Sequence, residues 1–245
     1  MKKDAVLAVL EADSERLASA GRSGLDLAVP PCPGWTVAHV VAHVGRAHNW
    51  VAEILETRTQ APLGQRPDDH GHDPAAPGLL EWFEASSGRF QQAVQRVDPE
   101  EPVWSWSGDN RAHFWMRLMA HETAIHRHDA QSAHGTTEPI DAALARDAIE
   151  GFLAWFLPVM RQRSLVPSGG EAYLFRQTDG DGIWYVRFGP GGVVVEREEQ
   201  PAGVTASGCA SDLLLFPWHR VPATRLAVSG ESALLDRYFE LAPPY

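Results

Sequence analysis

The chain has 245 residues, of which 44% are hydrophobic, enough for one large core or two modest ones and too much for a peptide-like module. Acidic side chains outnumber basic ones, 32 to 21, and the formal charge of −11 repels phosphate backbones, so no nucleic-acid partner is expected. The longest apolar run, Phe152 to Met160, falls well short of the roughly 20 residues that span a bilayer and is broken by Pro158, so no membrane partner is expected either.

Met1-Lys2-Lys3-Asp4 leads straight into an acidic helical pattern without an apolar signal core, and two cysteines, Cys32 and Cys209, make no disulfide framework; both features predict a cytoplasmic protein. A first helix is predicted over Asp4 to Ala20, with Gly21 and Gly24 ending it. Thr36 is the expected N-cap of a second helix that runs to about Thr57, with Trp35 and Val40 spaced as a hydrophobic staple. The Pro, Gly and Asp cluster from Pro62 to Pro77 reads as a long exposed loop suited to form a lid. Leu79 to Val97 marks a third helix, Ala112 to Gln131 a fourth, and Ile140 to Met160 a fifth. Helices joined in this way bury their stripes best as an up-and-down four-helix bundle, which we place at residues 1–165. Beyond that point, strands are expected at Glu171–Gln177, Ile183–Phe188 and Val193–Glu196, punctuated by Asp179-Gly180-Asp181-Gly182 and Gly189-Pro190-Gly191-Gly192 as a meander. Further short strands at Val204–Ser207 and Arg225–Val228, with helices at Ala210–Phe216 and Glu231–Leu241, make residues 166–245 a small α+β domain with an antiparallel sheet.

The chemistry is carried by polar residues on buried stripes. On the fourth helix Trp115, Leu118, Glu122, Ile125, His126 and Asp129 follow at three- and four-residue steps, so an ionisable trio continues the core-facing side. An unpaired carboxylate there would cost several kcal/mol, and a divalent metal would compensate it. Glu122 and His126 lie one turn apart and aim an oxygen and a nitrogen at one point; His43, flanked by Val40 and Ala47 on the second helix, is the expected third ligand. Two imidazoles and one carboxylate leave a tetrahedral ion one open position, as in catalytic sites. Hydrogen-bonded core packing is the competing reading of the same residues. His39, His48, His113, His121 and His128 fall on other helix faces and read as solvated or rim residues. In His121-Glu122-Thr123-Ala124-Ile125-His126 the second histidine comes five after the first, which rejects a zincin metalloprotease. Asp179 and Asp181 read as turn formers, and both cysteines as structural.

The run Cys32-Pro33-Gly34-Trp35-Thr36-Val37 with Ala42-His43-Val44, and then His121-Glu122 with His126-Arg127-His128-Asp129, resembles the mycothiol-dependent maleylpyruvate isomerase family, whose N-terminal domain is DinB-like. Thr178-Asp179-Gly180, Trp184, Leu213-Leu214-Leu215 and Trp218-His219-Arg220 resemble landmarks of its sterol-carrier-like second domain. The resemblance implies zinc on His43, Glu122 and His126, mycothiol as the thiol cofactor, and cis–trans isomerisation by reversible addition of the thiolate to a conjugated double bond. It also implies a small electrophilic or anionic substrate, with Arg220, by its place in a Trp-x-Arg element, as the candidate anion-binding residue or else a helix-end residue satisfying carbonyls; Asp129, three residues after His126, is read as orienting that helix face or as pairing with Arg127 or a neighbouring helix. Where the family usually has an acidic residue and an aromatic, this chain has His39 and His128. A mycothiol S-transferase of detoxification is the alternative enzyme, a non-catalytic metal- or lipid-binding member the alternative class, and either a monomer or a homodimer is expected.

Overall fold

The structure is a computed structural model that describes residues 1–64 and 66–244; within the predicted loop, Gln65 lies outside the described residues. Two compact units divide the chain, Met1–Glu138 and Pro139–Tyr245.

The first unit is a four-helix bundle of α1 (Lys3–Ser23), α2 (Val37–Thr57), α3 (Leu79–Arg96) and α4 (Ala112–Ser132). α1 continues past its expected stop, with Gly21 inside it against α3: a Cβ there would come within 2.6 Å of Leu80 Cδ2 and would force that side chain to move. Gly24, with φ of +156°, then ends the helix. α2 starts after Thr36 in a capping box whose return partner is His39, with Nδ1 accepting from the Thr36 backbone N–H at 3.2 Å. Leu17, Val40, Val41 and Phe83 form the interior, each contributing roughly 1.5–3 kcal/mol on burial. α4 is enclosed on nearly every face, since it packs against both α1 and α2.

That enclosure corrects the reading of three histidines. His121, His128 and His48 are buried, whereas His39 is exposed and half-buried His113 lies against Asp109 and Glu100. These side chains were expected to be solvated or at the rim, but the faces of α2 and α4 that carry them are covered within the bundle. His48 lies between Phe83 and Phe90, with ring centroids 6.2 and 5.0 Å away. Thr123 donates its hydroxyl to Met119 O, so His48 Nε2–H must donate to Thr123 Oγ1 at 2.9 Å, and buried Nδ1 has no partner among the described residues. Burial alone drives the imidazole pKa down to about 3. Folded His48 is therefore neutral, and its contribution to stability is complete above pH 6.5 and lost as the pH falls toward 3. Acid titration of the unfolding free energy should show an added slope of about 1.4 kcal/mol per pH unit in that window that disappears in His48→Phe; parallel curves for the two proteins would contradict the assignment.

The loop from Pro62 contains a short 3-10 turn, Pro67–His70, and is tied down rather than free. Arg46 on α2 donates to His72 O at 2.9 Å and pairs with Asp68, and His70 packs by Glu53.

The second unit begins earlier than the predicted boundary at 165. α5 (Ala142–Gly151), a π turn (Phe152–Phe156) and α6 (Leu157–Arg163) form one interrupted rod that packs with α7 (Ala210–Leu215) and strand β3 (Gly192–Glu196). Ile140 N–H donates to Ser211 Oγ at 3.0 Å, and Glu150 accepts from Trp184 Nε1 at 2.7 Å. Helical periodicity reveals an apolar face but not which core it meets. The π turn has a local cause: Pro158 has no N–H for Ala154 O, and Leu157 N–H reaches back five residues to Phe152 O.

The sheet adds β1 (Ala172–Gln177), β2 (Ile183–Gly189), β4 (Val204–Gly208) and β5 (Ala227–Gly230), in the order β3-β2-β1-β4-β5, and α8 (Ala233–Leu241) completes the fold. Most pairs are antiparallel as expected, but β4 runs parallel to β1, with Phe175 opposite Ala206, so the sheet is mixed. The segment 197–203 carries the chain from the β3 edge across to the far side of β1, where β4 enters in the direction of β1. Asp179 is a turn former as read: its Oδ1 accepts from Gln177 Nε2 at 3.0 Å and from Ala210 N at 2.9 Å. Among the described residues no helix is long and apolar enough to cross a membrane.

Candidate metal centre

Valines and alanines surround His43 on α2 and keep that helix against α4, which sets the His43 imidazole opposite Glu122 and His126. One ligand atom from each of the three residues lies within 4.8 Å of the others. Glu122 Oε2 is 3.4 Å from His126 Nε2 and 3.9 Å from His43 Nε2, and the two imidazoles meet edge-on at 4.8 Å between centroids. The His126 side chain is 11% exposed, Glu122 27% and His43 38%, so the group is closed beneath His126 and open beside His43.

Asp129, fully buried and one turn after His126, accepts from His126 Nδ1 at 3.0 Å. That bond keeps a proton on Nδ1, so Nε2, 3.4 Å from Glu122 Oε2, is the nitrogen that a metal would take in place of its proton. Burial disfavours charge on both members of the pair. Hydrogen bonds to Asp129 and Glu122 nevertheless raise the His126 imidazolium to about 9, and those from His126 and His43 hold the Glu122 carboxyl well below the usual carboxylate range. The arrangement is thus an anion gathered by two imidazoles, the donor set a divalent cation takes.

Trp35, read as a staple, has its indole against these rings: it lies 5.3 Å from His43 and 6.2 Å from His126, nearly parallel to the latter at 19°. Cys32 Sγ lies 3.5 Å from Asp129 Oδ2. Neither role followed from helical spacing, since both residues precede the helix; the Pro33-Gly34 pair just before the N-cap of the His43 helix was the available signal. Trp50 joins Trp104 and Trp115 in an aromatic group at 5.2–6.1 Å between ring centroids, and Trp115 Nε1 donates to Trp104 O at 2.6 Å. Trp115 lies two turns before Glu122 on the same face of α4. Arg220 belongs to the second unit, where it follows α7 and donates from Nη1 to Trp218 O at 2.8 Å.

A family model described as the mycothiol maleylpyruvate isomerase N-terminal domain matches residues 7–131, and one described as the MDMPI C-terminal domain matches residues 143–237. Among solved structures, the chain is similar to a mycothiol-dependent maleylpyruvate isomerase at 14% identity with a TM-score of 0.67, over 94% of this chain and 95% of that one. A histidine-to-alanine mutant of an enzyme of that name matches at 13% identity and a TM-score of 0.66, with the same coverage. At these identities the likeness shows a shared fold. No curated protein matches by sequence.

Proposed function

The chain belongs to the mycothiol maleylpyruvate isomerase family, and from that membership we propose that it is a zinc- and mycothiol-dependent enzyme acting on a small, electrophilic, anionic substrate by cis–trans isomerisation. The observation that most supports this reading is the meeting of His43, Glu122 and His126 within 4.8 Å of one another.

The residues fit a divalent ion on their own chemistry. Glu122 Oε2 faces both imidazoles, at 3.4 and 3.9 Å from their Nε2 atoms, and two imidazole nitrogens with one carboxylate would leave a divalent ion a position for an incoming ligand. His126 is held to a single tautomer by Asp129, so its Nε2 donor is preorganised. When bound, zinc with a low-molecular-weight thiol supplies a sulfur nucleophile ionised at neutral pH, where a free thiol with a pKa of about 8.5 is ionised only to a few per cent. The chain's own part is to hold these donors in place, to keep the His126 side dry, and to leave the His43 side open for approach.

Activity on maleylpyruvate or another electrophile should therefore require mycothiol. Rates that are unchanged when the thiol is omitted would remove the cofactor, and accumulation of a thiol conjugate in place of the isomer would make the enzyme an S-transferase. Arg220 remains our candidate for binding a carboxylate of the substrate, as its planar fork suits that group. Arg220→Ala should raise KM about tenfold or more, roughly the worth of one charged hydrogen bond, while zinc content stays at the wild-type level. A KM that does not move would exclude the role.

A further inference from the structure

Cys32, Pro33, Gly34 and Trp35 form a tight turn. Trp35 N–H donates to Cys32 O at 2.9 Å, with proline second and glycine third, the latter at φ of +83°. That is a type II turn, whose third position calls for glycine. The turn is itself stitched into the bundle. Val29 N–H donates to Trp35 O at 2.9 Å, Cys32 N–H to Val29 O at 3.0 Å, and Ala28 bridges Thr36. Cys32 and Trp35 also pack on the core formed by α1, α2 and α3.

The first and last side chains of this turn reach the same imidazole by different routes. Trp35 lays its indole alongside the His126 ring, while Cys32 presents its thiol to Asp129 Oδ2, the oxygen that accepts from His126 Nδ1. One route restrains the plane of the ring, the other the carboxylate that sets its tautomer. Two contacts of unlike chemistry, spaced by one turn on a rigid loop, restrain the rotation of His126 about both of its side-chain torsions.

We propose that the Cys32-Pro33-Gly34-Trp35 turn is a clamp that fixes the orientation of the His126 imidazole toward its metal, with Trp35 and Cys32 as positioning residues. The inference rests on the metal reading given above. Partners one step removed from a ligand typically change metal affinity 10- to 100-fold when lost, which sets the size of the expected effect.

The probe is cobalt(II) added to metal-free protein, with affinity and the visible absorption envelope as readouts beside thermal stability. Trp35→Leu and Cys32→Ala should each weaken cobalt binding by about 10-fold or more and alter the envelope, whereas Trp35→Phe and Cys32→Ser, which keep a ring and a hydrogen-bond donor, should recover much of the loss. A merely structural turn would lower the melting temperature and leave the cobalt spectrum and affinity as in the wild type, and that result overturns the proposal. If Trp35→Leu does not fold, Cys32→Ala decides it: wild-type affinity and spectrum in that variant would be equally fatal. Cobalt binding in the wild type that persists undiminished in His43→Ala, or no binding at all, defeats the metal reading and this inference with it; binding lost in His43→Ala but unaffected by the turn variants defeats the inference alone.

Discussion

Glu122→Ala is expected to fold, to hold less than about a tenth of the wild-type zinc, and to lose at least about 10³-fold in kcat/KM, equivalent to some 4 kcal/mol of transition-state stabilisation. Glu122 is the hinge of the donor group, the carboxylate that both imidazoles approach, at 3.4 and 3.9 Å. Without it two neutral nitrogens remain, a set that binds a divalent ion far more weakly than one that includes an anion. The variant should keep its fold because the Glu122 side chain is 27% exposed and alanine is a strong helix former at this position of α4. His43→Ala tests the same point from the other helix, and its side chain is more exposed still. Elemental analysis of dialysed protein, paired with steady-state kinetics, separates the outcomes. Equal zinc in wild type, Glu122→Ala and His43→Ala would show that these residues do not form the site, whatever the activities.

The second large effect is on stability. Arg127→Ala should lower the melting temperature of the bundle by about 10–15 °C, following a loss of roughly 3–5 kcal/mol. Arg127 is buried in the first unit, donating from Nη1 to Gln131 Oε1 at 2.8 Å and to Glu138 O at 2.6 Å, with Nε 3.2 Å from Asp13 Oδ1. Burial pushes the Asp13 carboxyl up, against the opposing pull of Arg127 and Arg16. Removing the guanidinium therefore leaves a buried carboxylate with Arg16 as its remaining cation, at 3.3 Å. The sign of the pH dependence follows. A carboxyl whose folded pKa is raised gains stability as the pH falls, so the deficit of Arg127→Ala should shrink on acidification as Asp13 takes up its proton. Replacing both members, as Asp13→Leu with Arg127→Met, should recover most of the loss, since an apolar pair needs no charge compensation. A melting temperature for Arg127→Ala within about 3 °C of wild type would show that the pair is not a stability element.

Local chemistry determined a large part of this protein from its sequence. The helix limits at Thr36, Leu79 and Ala112, the turns around Asp179 and Gly189, and the division into a helical bundle and an α+β part follow from caps, glycines and the period of the apolar residues. The candidate ligands followed likewise, because a step of four on one helix aligns Glu122 with His126 wherever that helix lies, and an apolar stripe turns His43 inward. What the pattern could not contain was the partner of each face. The rod from Ala142 to Arg163 has the same periodicity whether it serves the first core or the second, and only its packing on α7 and β3 assigns it. His121, His128 and His48 lie off the stripe of their helices, yet the bundle surrounds those helices and buries them. β4 carries the alternation of any strand, and its parallel register beside β1 depends on where the preceding segment crosses the sheet. Cys32 and Asp129 are 97 residues apart, and Trp35 and His126 are likewise separated by far more than any helical repeat, so their meeting at one imidazole comes from the docking of a loop on a helix. Spacing along one element is set by backbone geometry, whereas contacts between elements are set by which surfaces fit together, and only the folded chain makes that choice.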